Sequence, residues 1–331
     1  MNNLLTDIDG VRVGHADDAA LASGATAVVF DKPAVAAMDV RGGGPGTREG
    51  ALLDLANTVE RIDAIALAGG SAFGLDAGSG VQAWLAEQGR GFEVRGALIP
   101  IVPGAICFDL LNGGNKKWGR FAPYRDLGYA AAAAAGTSFA LGSVGAGLGA
   151  NTADLKGGVG SASAQTDSGV KVAAIAVVNA VGTVMVGEGP WFWAAPFEVG
   201  GEYGGRGLPP NITPDMLKMR IKGGPSATAV ENTTLAVVVT DAILTKPQAR
   251  RLAMIAQTGF ARAIYPVHAP MDGDVVFAAA TGQRPIGPLV GLTELGMIAA
   301  NVVARAIARG VYAATALPYP GALPAWRDRF G

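Results

Sequence analysis

The chain has 331 residues, of which 49 are Gly and 19 Pro; half are apolar, 16% are charged, and the formal net charge is −1. Gly at about twice its usual ~7% share, with charge well below the usual ~25%, excludes a coiled coil and a charge-rich disordered chain. Lys and Arg scattered singly in a near-neutral chain leave no electrostatic footprint for nucleic acid or an anionic membrane.

Residues 1–10 carry acids where a secretory segment needs an apolar stretch, so a cytoplasmic protein is expected. Residues 64–68 (AIALA) read as a buried strand, followed by Gly69-Gly70 and a helix over 72–85. Gly78 and Gly80 in that helix fit a relaxed dinucleotide fingerprint, but fingerprint glycines must form the strand-to-helix turn, which Gly69-Gly70 already occupy. The single cysteine, Cys107, cannot form an internal disulfide and is expected to be a small buried apolar residue. The longest uncharged stretch, 128–153, is too poor in Leu and Ile for a membrane span and reads as a buried helix over 130–135 with a Gly-rich turn after it.

Residues 172–178, 179–182 and 183–186 read as strand, tight turn, strand. The segment 200–232 is dominated by Gly, Pro and polar residues and reads as a long surface connection. A strand over 235–239 follows, then helices over 252–264 and 292–308, with Arg262 and Arg305 available for solvated faces. This alternation implies a mixed α/β architecture, and although the length would allow one domain or two, the whole chain, 1–331, is read as a single domain. With so few charges, part of the surface is expected to lie against other copies, in a homotetramer or higher homo-oligomer.

His15 and His268 are far apart and no Cys/His cluster has zinc spacing, so neither a metal nor a cofactor is expected. There is no Walker-type sequence and no G-x-S-x-G elbow. The stretch that carries chemistry is Asn232-Thr233-Thr234-Leu235, where the Gly/Pro-rich connection gives way to a β-branched run. If the chain were cut before Thr233, its freed α-amine, titrating near ~7.7–8.0, could serve as general base for its own hydroxyl.

From Leu5 to about Ala314 the sequence resembles the L-aminopeptidase/D-amidase-esterase family, which includes β-peptidyl aminopeptidases and nylon-oligomer (6-aminohexanoate oligomer) hydrolases. The matching stretches are Leu5-Thr6-Asp7-Ile8-Asp9-Gly10, Asp39-Val40-Arg41-Gly42-Gly43, Leu67-Ala68-Gly69-Gly70-Ser71-Ala72-Phe73-Gly74, Asn112-Gly113-Gly114-Asn115, Lys156-Gly157-Gly158, Asn232-Thr233-Thr234 and Met271-Asp272-Gly273-Asp274. The resemblance implies an α+β fold, a four-layer αββα sandwich of N-terminal-nucleophile type. It also implies self-cleavage between Asn232 and Thr233 into chains of residues 1–232 and 233–331, with Thr233 then forming an acyl-enzyme on amide substrates.

By the same resemblance, Asn179 would stabilise the oxyanion and Lys156 would place a buried ammonium beside the nucleophile. Asp272 and Asp274 would hold the Thr233 ammonium and hydroxyl. Thr233 together with the Met271–Asp274 stretch points toward the nylon-oligomer branch, since the aminopeptidase branch tends to use Ser. A site tyrosine of some relatives is Phe108 here. Short peptides or amide oligomers are the implied substrates. An acyltransferase of the ornithine acetyltransferase type and a non-catalytic binding protein are the alternatives.

Overall fold

The computed structural model describes residues 1–224 and 232–331. In chain order the strands are β1 (Val11–Asp18), β2 (Ser23–Val40), β3 (Thr47–Arg48) and β4 (Arg61–Ala68), then helix α1 (Ala77–Glu87), β5 (Phe92–Val94), β6 (Ala97–Ile99), β7 (Gly104–Ile106) and α2 (Tyr124–Ala133). Next come β8 (Val159–Gln165), β9 (Lys171–Asn179), β10 (Thr233–Ala242), α3 (Lys246–Ala256), α4 (Thr258–Ala261), β11 (Val275–Arg284), α5 (Val290–Tyr312) and α6 (Trp326–Phe330). Hydrogen bonding orders the main sheet β3-β7-β4-β2-β11-β10-β9-β8, with β1 added along β2.

The long strand β2 makes two layers out of this one ladder. Its first part pairs with β1 and β4, its last part with β11, and the β4 register breaks between Val29 and Ala34. Asp31, Lys32 and Pro33 in that break are exposed. Alternate residues then supply three separate cores. Val28, Phe30, Ile65 and Leu67 from one layer meet Ile175, Val177, Val237 and Phe277 from the other. Ala174, Ala176, Val238 and Ala278, on the outer face of the second layer, pack under α3, α4 and α5. Ala27, Val29, Ala64 and Ala66 pack under α1 and α2. Strands buried on both faces must be apolar throughout, which is why these segments read as unbroken apolar runs. The result is the expected α+β sandwich of four layers, αββα.

Several elements differ from the sequence reading. The helix expected over 72–85 opens as a 3-10 turn, Ser71–Asp76, before α1 begins. Gly80 of α1 and Gly128 of α2 serve helix contact: a Cβ at Gly80 would lie 1.9 Å from the Arg125 carbonyl oxygen, and one at Gly128 would lie 2.1 Å from that of Ala77. The helix expected over 252–264 divides into α3 and α4, where Gly259 lets the chain approach the Ala300 carbonyl of α5.

Residues 183–186 do not return as a hairpin strand. Both edges of β9 are already taken, by β8 and β10, so Thr183 and Met185 make only single bridges to Tyr265 and Phe192. Arg305 faces no solvent; it is 6% exposed and pairs with Glu202 at 2.5 Å. The described part of the connection expected over 200–232, residues 200–224, follows the surface but is pinned at Glu202, at buried Tyr203 and at Arg220; residues 225–231 lie outside the described ones. The 23-residue α5 is long and apolar enough to cross a membrane by length and composition alone, yet it packs over the second layer as a core helix.

Candidate active site

The site lies at the start of β10, and strand register assembles it. On one side β10 runs antiparallel to β9 and sets Thr233 opposite Asn179. On the other it runs parallel to β11 with Leu235 beside Val275, and Asn232 bridges to Asp272. Counting back from Leu235, Thr234 stands beside Asp274 and Thr233 beside Gly273.

Thr233 is buried, and its hydroxyl donates to the carbonyl oxygen of Asn232 at 2.5 Å. The same carbonyl accepts the Gly273 N–H at 2.9 Å. A donor on the carbonyl oxygen polarises the C=O and is placed to hold negative charge if that carbon is attacked. A Cβ at Gly273 would lie 2.3 Å from Thr233 Oγ1, so only glycine lets the hydroxyl sit here.

The Asn179 side chain is almost fully committed. Its Oδ1 accepts the Asn151 N–H at 3.0 Å and Lys222 Nζ at 3.1 Å, while Nδ2 donates to the Phe108 carbonyl at 2.9 Å. One of the two Nδ2 hydrogens has no partner among the described residues. Antiparallel partners share a sheet face, so the Asn179 and Thr233 side chains stand next to each other.

The two aspartates have different partners from those expected. Asp274 Oδ1 accepts the Thr234 N–H at 2.8 Å, and Oδ2 accepts from His268, its backbone N–H at 3.2 Å and Nδ1 at 2.8 Å. Asp274 therefore fixes the residue after Thr233, because the parallel register sets it one position further along. Asp272 is 1% exposed and its Oδ1 has no hydrogen-bond partner among the described residues. Burial, and then the nearby charge of Asp274, raise its pKa above the carboxylate range. The buried Asn232 side chain likewise has neither Nδ2 nor Oδ1 partnered among the described residues.

Lys156 is fully buried, as expected, and its ammonium makes no hydrogen bond to Thr233. Nζ donates to the carbonyls of Gly147, Ala150 and Gly157 at 3.1, 2.7 and 2.7 Å, which uses all three of its hydrogens. It braces the turn that presents the Asn151 N–H to Asn179. Burial lowers its pKa to about 7. Lys222 reaches the site through its ammonium on Asn179 Oδ1, and burial lowers its pKa to about 8. Cys107 is completely buried, and burial pushes its thiol pKa up, away from nucleophilic use.

Sequence reasoning missed Gly273, His268 and Lys222. Gly273 lies inside the Met271–Asp274 stretch, but only the register shows what its bare α-carbon is for. His268 is four residues from Asp272 and has left-handed backbone geometry at φ 55. Lys222 sits in a segment read only for its composition. Among the described residues no group of three or more His, Cys, Asp or Glu could hold a metal ion.

The model of peptidase family S58 matches residues 3–321. The chain belongs to this family. An uncharacterized aminopeptidase of Mycobacterium tuberculosis is 44% identical over 347 aligned positions, covering 99% of this chain and 98% of that protein. A 6-aminohexanoate-oligomer endohydrolase of Agromyces sp. is 29% identical, covering 91% and 84%. Among solved structures, a Burkholderia sp. beta-aminopeptidase superposes with TM-score 0.70 at 21% identity, covering 98% of this chain and 90% of that one. The L-aminopeptidase D-Ala-esterase/amidase of Ochrobactrum anthropi, described as a variant of the Ntn hydrolase fold, gives 0.69 at 20%, with 98% and 90% covered. This S58 chain thus has the N-terminal-nucleophile hydrolase fold, and membership makes it a hydrolase of the aminopeptidase and amidase kind.

Proposed function

We propose that the protein is a self-cleaving amide hydrolase whose nucleophile is Thr233. The observation that carries this is the Thr233 hydroxyl lying against the Asn232 carbonyl while the Gly273 N–H holds the same oxygen. Attack of Oγ on the Asn232 carbonyl carbon forms a tetrahedral oxyanion. The C–N bond then breaks, the nitrogen takes a proton, and the Asn232 acyl group rests on Oγ as an ester. Water hydrolyses the ester, leaving Asn232 as a carboxylate and Thr233 with a free α-amine.

Asp272 supports this sequence of steps. It bridges to Asn232, the residue before the nitrogen that cleavage converts into an ammonium, so a buried acid whose pKa is raised in the precursor gains a cation to ionise against. The free amine then takes the Thr233 hydroxyl proton when a substrate amide is attacked. The Gly273 N–H, which holds the Asn232 oxygen in the precursor, and the spare Asn179 N–H stabilise the substrate oxyanion. Water releases the acyl group.

The higher identity to aminopeptidases favours aminoacyl amides and short peptides as substrates; the oligomer hydrolases make 6-aminohexanoate oligomers the second class to assay. Denaturing electrophoresis with N-terminal sequencing is expected to give two fragments, the smaller starting at Thr233. Thr233→Ala is expected to stay whole and inactive. A wild-type chain that hydrolyses amides while remaining uncut would overturn the mechanism. Turnover of L-alanyl, D-alanyl and β-alanyl amides against 6-aminohexanoate oligomers ranks the substrates.

A further inference from the structure

We propose that Lys222 is a positioning residue of the mature site, gripping the Asn179 carboxamide oxygen so that the free Asn179 N–H becomes a stronger oxyanion donor. The proposal rests on the hydrolase reading above and extends it to a residue on the segment leading to the cut.

Lys222 is anchored by contacts that do not depend on the chain beyond it. Its backbone N–H donates to the Val181 carbonyl at 2.9 Å. Two residues earlier, Arg220 pairs with Asp154 at 3.1 Å and donates to the carbonyls of Met185, at 3.3 Å, and Gly187. A break after Asn232 removes none of these contacts, so Lys222 stays in place.

The Asn179 amide explains why a cation is useful there. Oδ1 already accepts the Asn151 N–H, and one Nδ2 hydrogen is held by Phe108. Adding Lys222 Nζ at 3.1 Å occupies the second acceptor position of Oδ1 and fixes which end of the amide is which. An ammonium on the oxygen also draws electron density across the amide and makes the remaining N–H a better donor, as in any polarised hydrogen-bond chain. Lys156 cannot do this, because its hydrogens are spent on Gly147, Ala150 and Gly157. The oxyanion exists only in the tetrahedral species, so the effect falls on kcat and leaves KM nearly unchanged.

The test compares Lys222→Met, Lys222→Gln and Lys222→Arg with wild type, each checked by circular dichroism and thermal melting, with Lys218→Met as an exposed linker control. Self-cleavage is followed by time course, and kcat and KM by amide hydrolysis. Lys222→Met is expected to lower kcat about tenfold or more with KM within about twofold, a size suited to one charge-assisted hydrogen bond. Lys222→Arg should recover most of the loss, and Lys222→Met should add little in an Asn179→Ala background. If Lys222→Met does not fold, Lys222→Gln is read the same way. If it folds but stays uncut, cleavage of Lys222→Arg supports the proposal.

Wild-type kcat in Lys222→Met, a loss confined to KM, a folded but unrescued Arg variant, or losses that multiply with Asn179→Ala would each overturn it. A wild type that neither cuts itself nor hydrolyses an amide would instead sink the hydrolase reading.

Discussion

Gly273 leaves its α-carbon bare against the Thr233 hydroxyl, where a Cβ would lie 2.3 Å from Oγ1, and its N–H holds the Asn232 carbonyl. One glycine therefore both makes space for the hydroxyl and polarises the bond to be broken. Gly273→Ala must push the hydroxyl or the loop aside, and displacement of order 1 Å costs about 10²-fold. Its self-cleavage is expected to slow by about that factor while the melting temperature changes little; fragments appearing at the wild-type rate on a gel time course would refute this.

Asn179 is predicted to act through its free N–H. Asn179→Ala should cut kcat by roughly 10²–10³-fold, the usual cost of losing one oxyanion donor. Asn179→Asp should do no better, because an ionised carboxylate only accepts. Steady-state kinetics on a processed sample decides this, and an Asp variant that keeps wild-type kcat would rule out the donor role.

Much of this site could be read from the sequence, and the part that could not shares a physical cause. Thr233, Asn179, Asp272 and Asp274 stand in recognisable strings, and β10 brings them together because both of its neighbours are in register at its first residues. Gly273 and His268 gain their parts only through a parallel pairing between segments some forty residues apart, and Lys222 through a connection folding back onto the end of β9. No local pattern encodes such meetings. Arg305 shows the same limit: helical spacing marks the polar side of α5, but the covering loop with Glu202 comes from a hundred residues earlier. The missing hairpin at 183–186 failed for a related reason, since a turn signal says nothing about whether the strand edge beside it is already occupied.

His15 is predicted to make the fold acid-sensitive. Its Nε2 faces the Ala140 carbonyl and its Nδ1 the Thr26 hydroxyl, and burial lowers its pKa to about 4, against the pull of Ala140 and Asp17. Between the unfolded value near 6.5 and about 4 the unfolded chain binds more protons, so stability falls as pH drops through that window and is unaffected above it. The full effect is up to about 3 kcal/mol. Scanning calorimetry at pH 7, 5 and 4 should show a melting-temperature loss that His15→Gln makes shallower; equal slopes would exclude His15 as the source.

Glu202 faces two arginines, Arg305 at 2.5 Å and Arg309 at 3.4 Å, with side-chain exposures of 9%, 7% and 16%. Removing the carboxylate strands a buried guanidinium, which typically costs about 3–5 kcal/mol. Glu202→Ala is therefore expected to lower thermal stability sharply, and Glu202→Ala with Arg305→Met to regain part of the loss. A single variant that melts like wild type would show that solvent reaches these charges.

The parallel pair β10–β11 is wedged between β9 on one side and the end of β2 on the other. Both flanking strands precede residue 232. A nick between Asn232 and Thr233 would thus cut the covalent thread without opening any seam of the sheet. The two pieces would remain interleaved like alternate planks of one floor, each unable to leave until the whole is unfolded. The nucleophile could then be freed at its amine and still be held as firmly as in the unbroken chain.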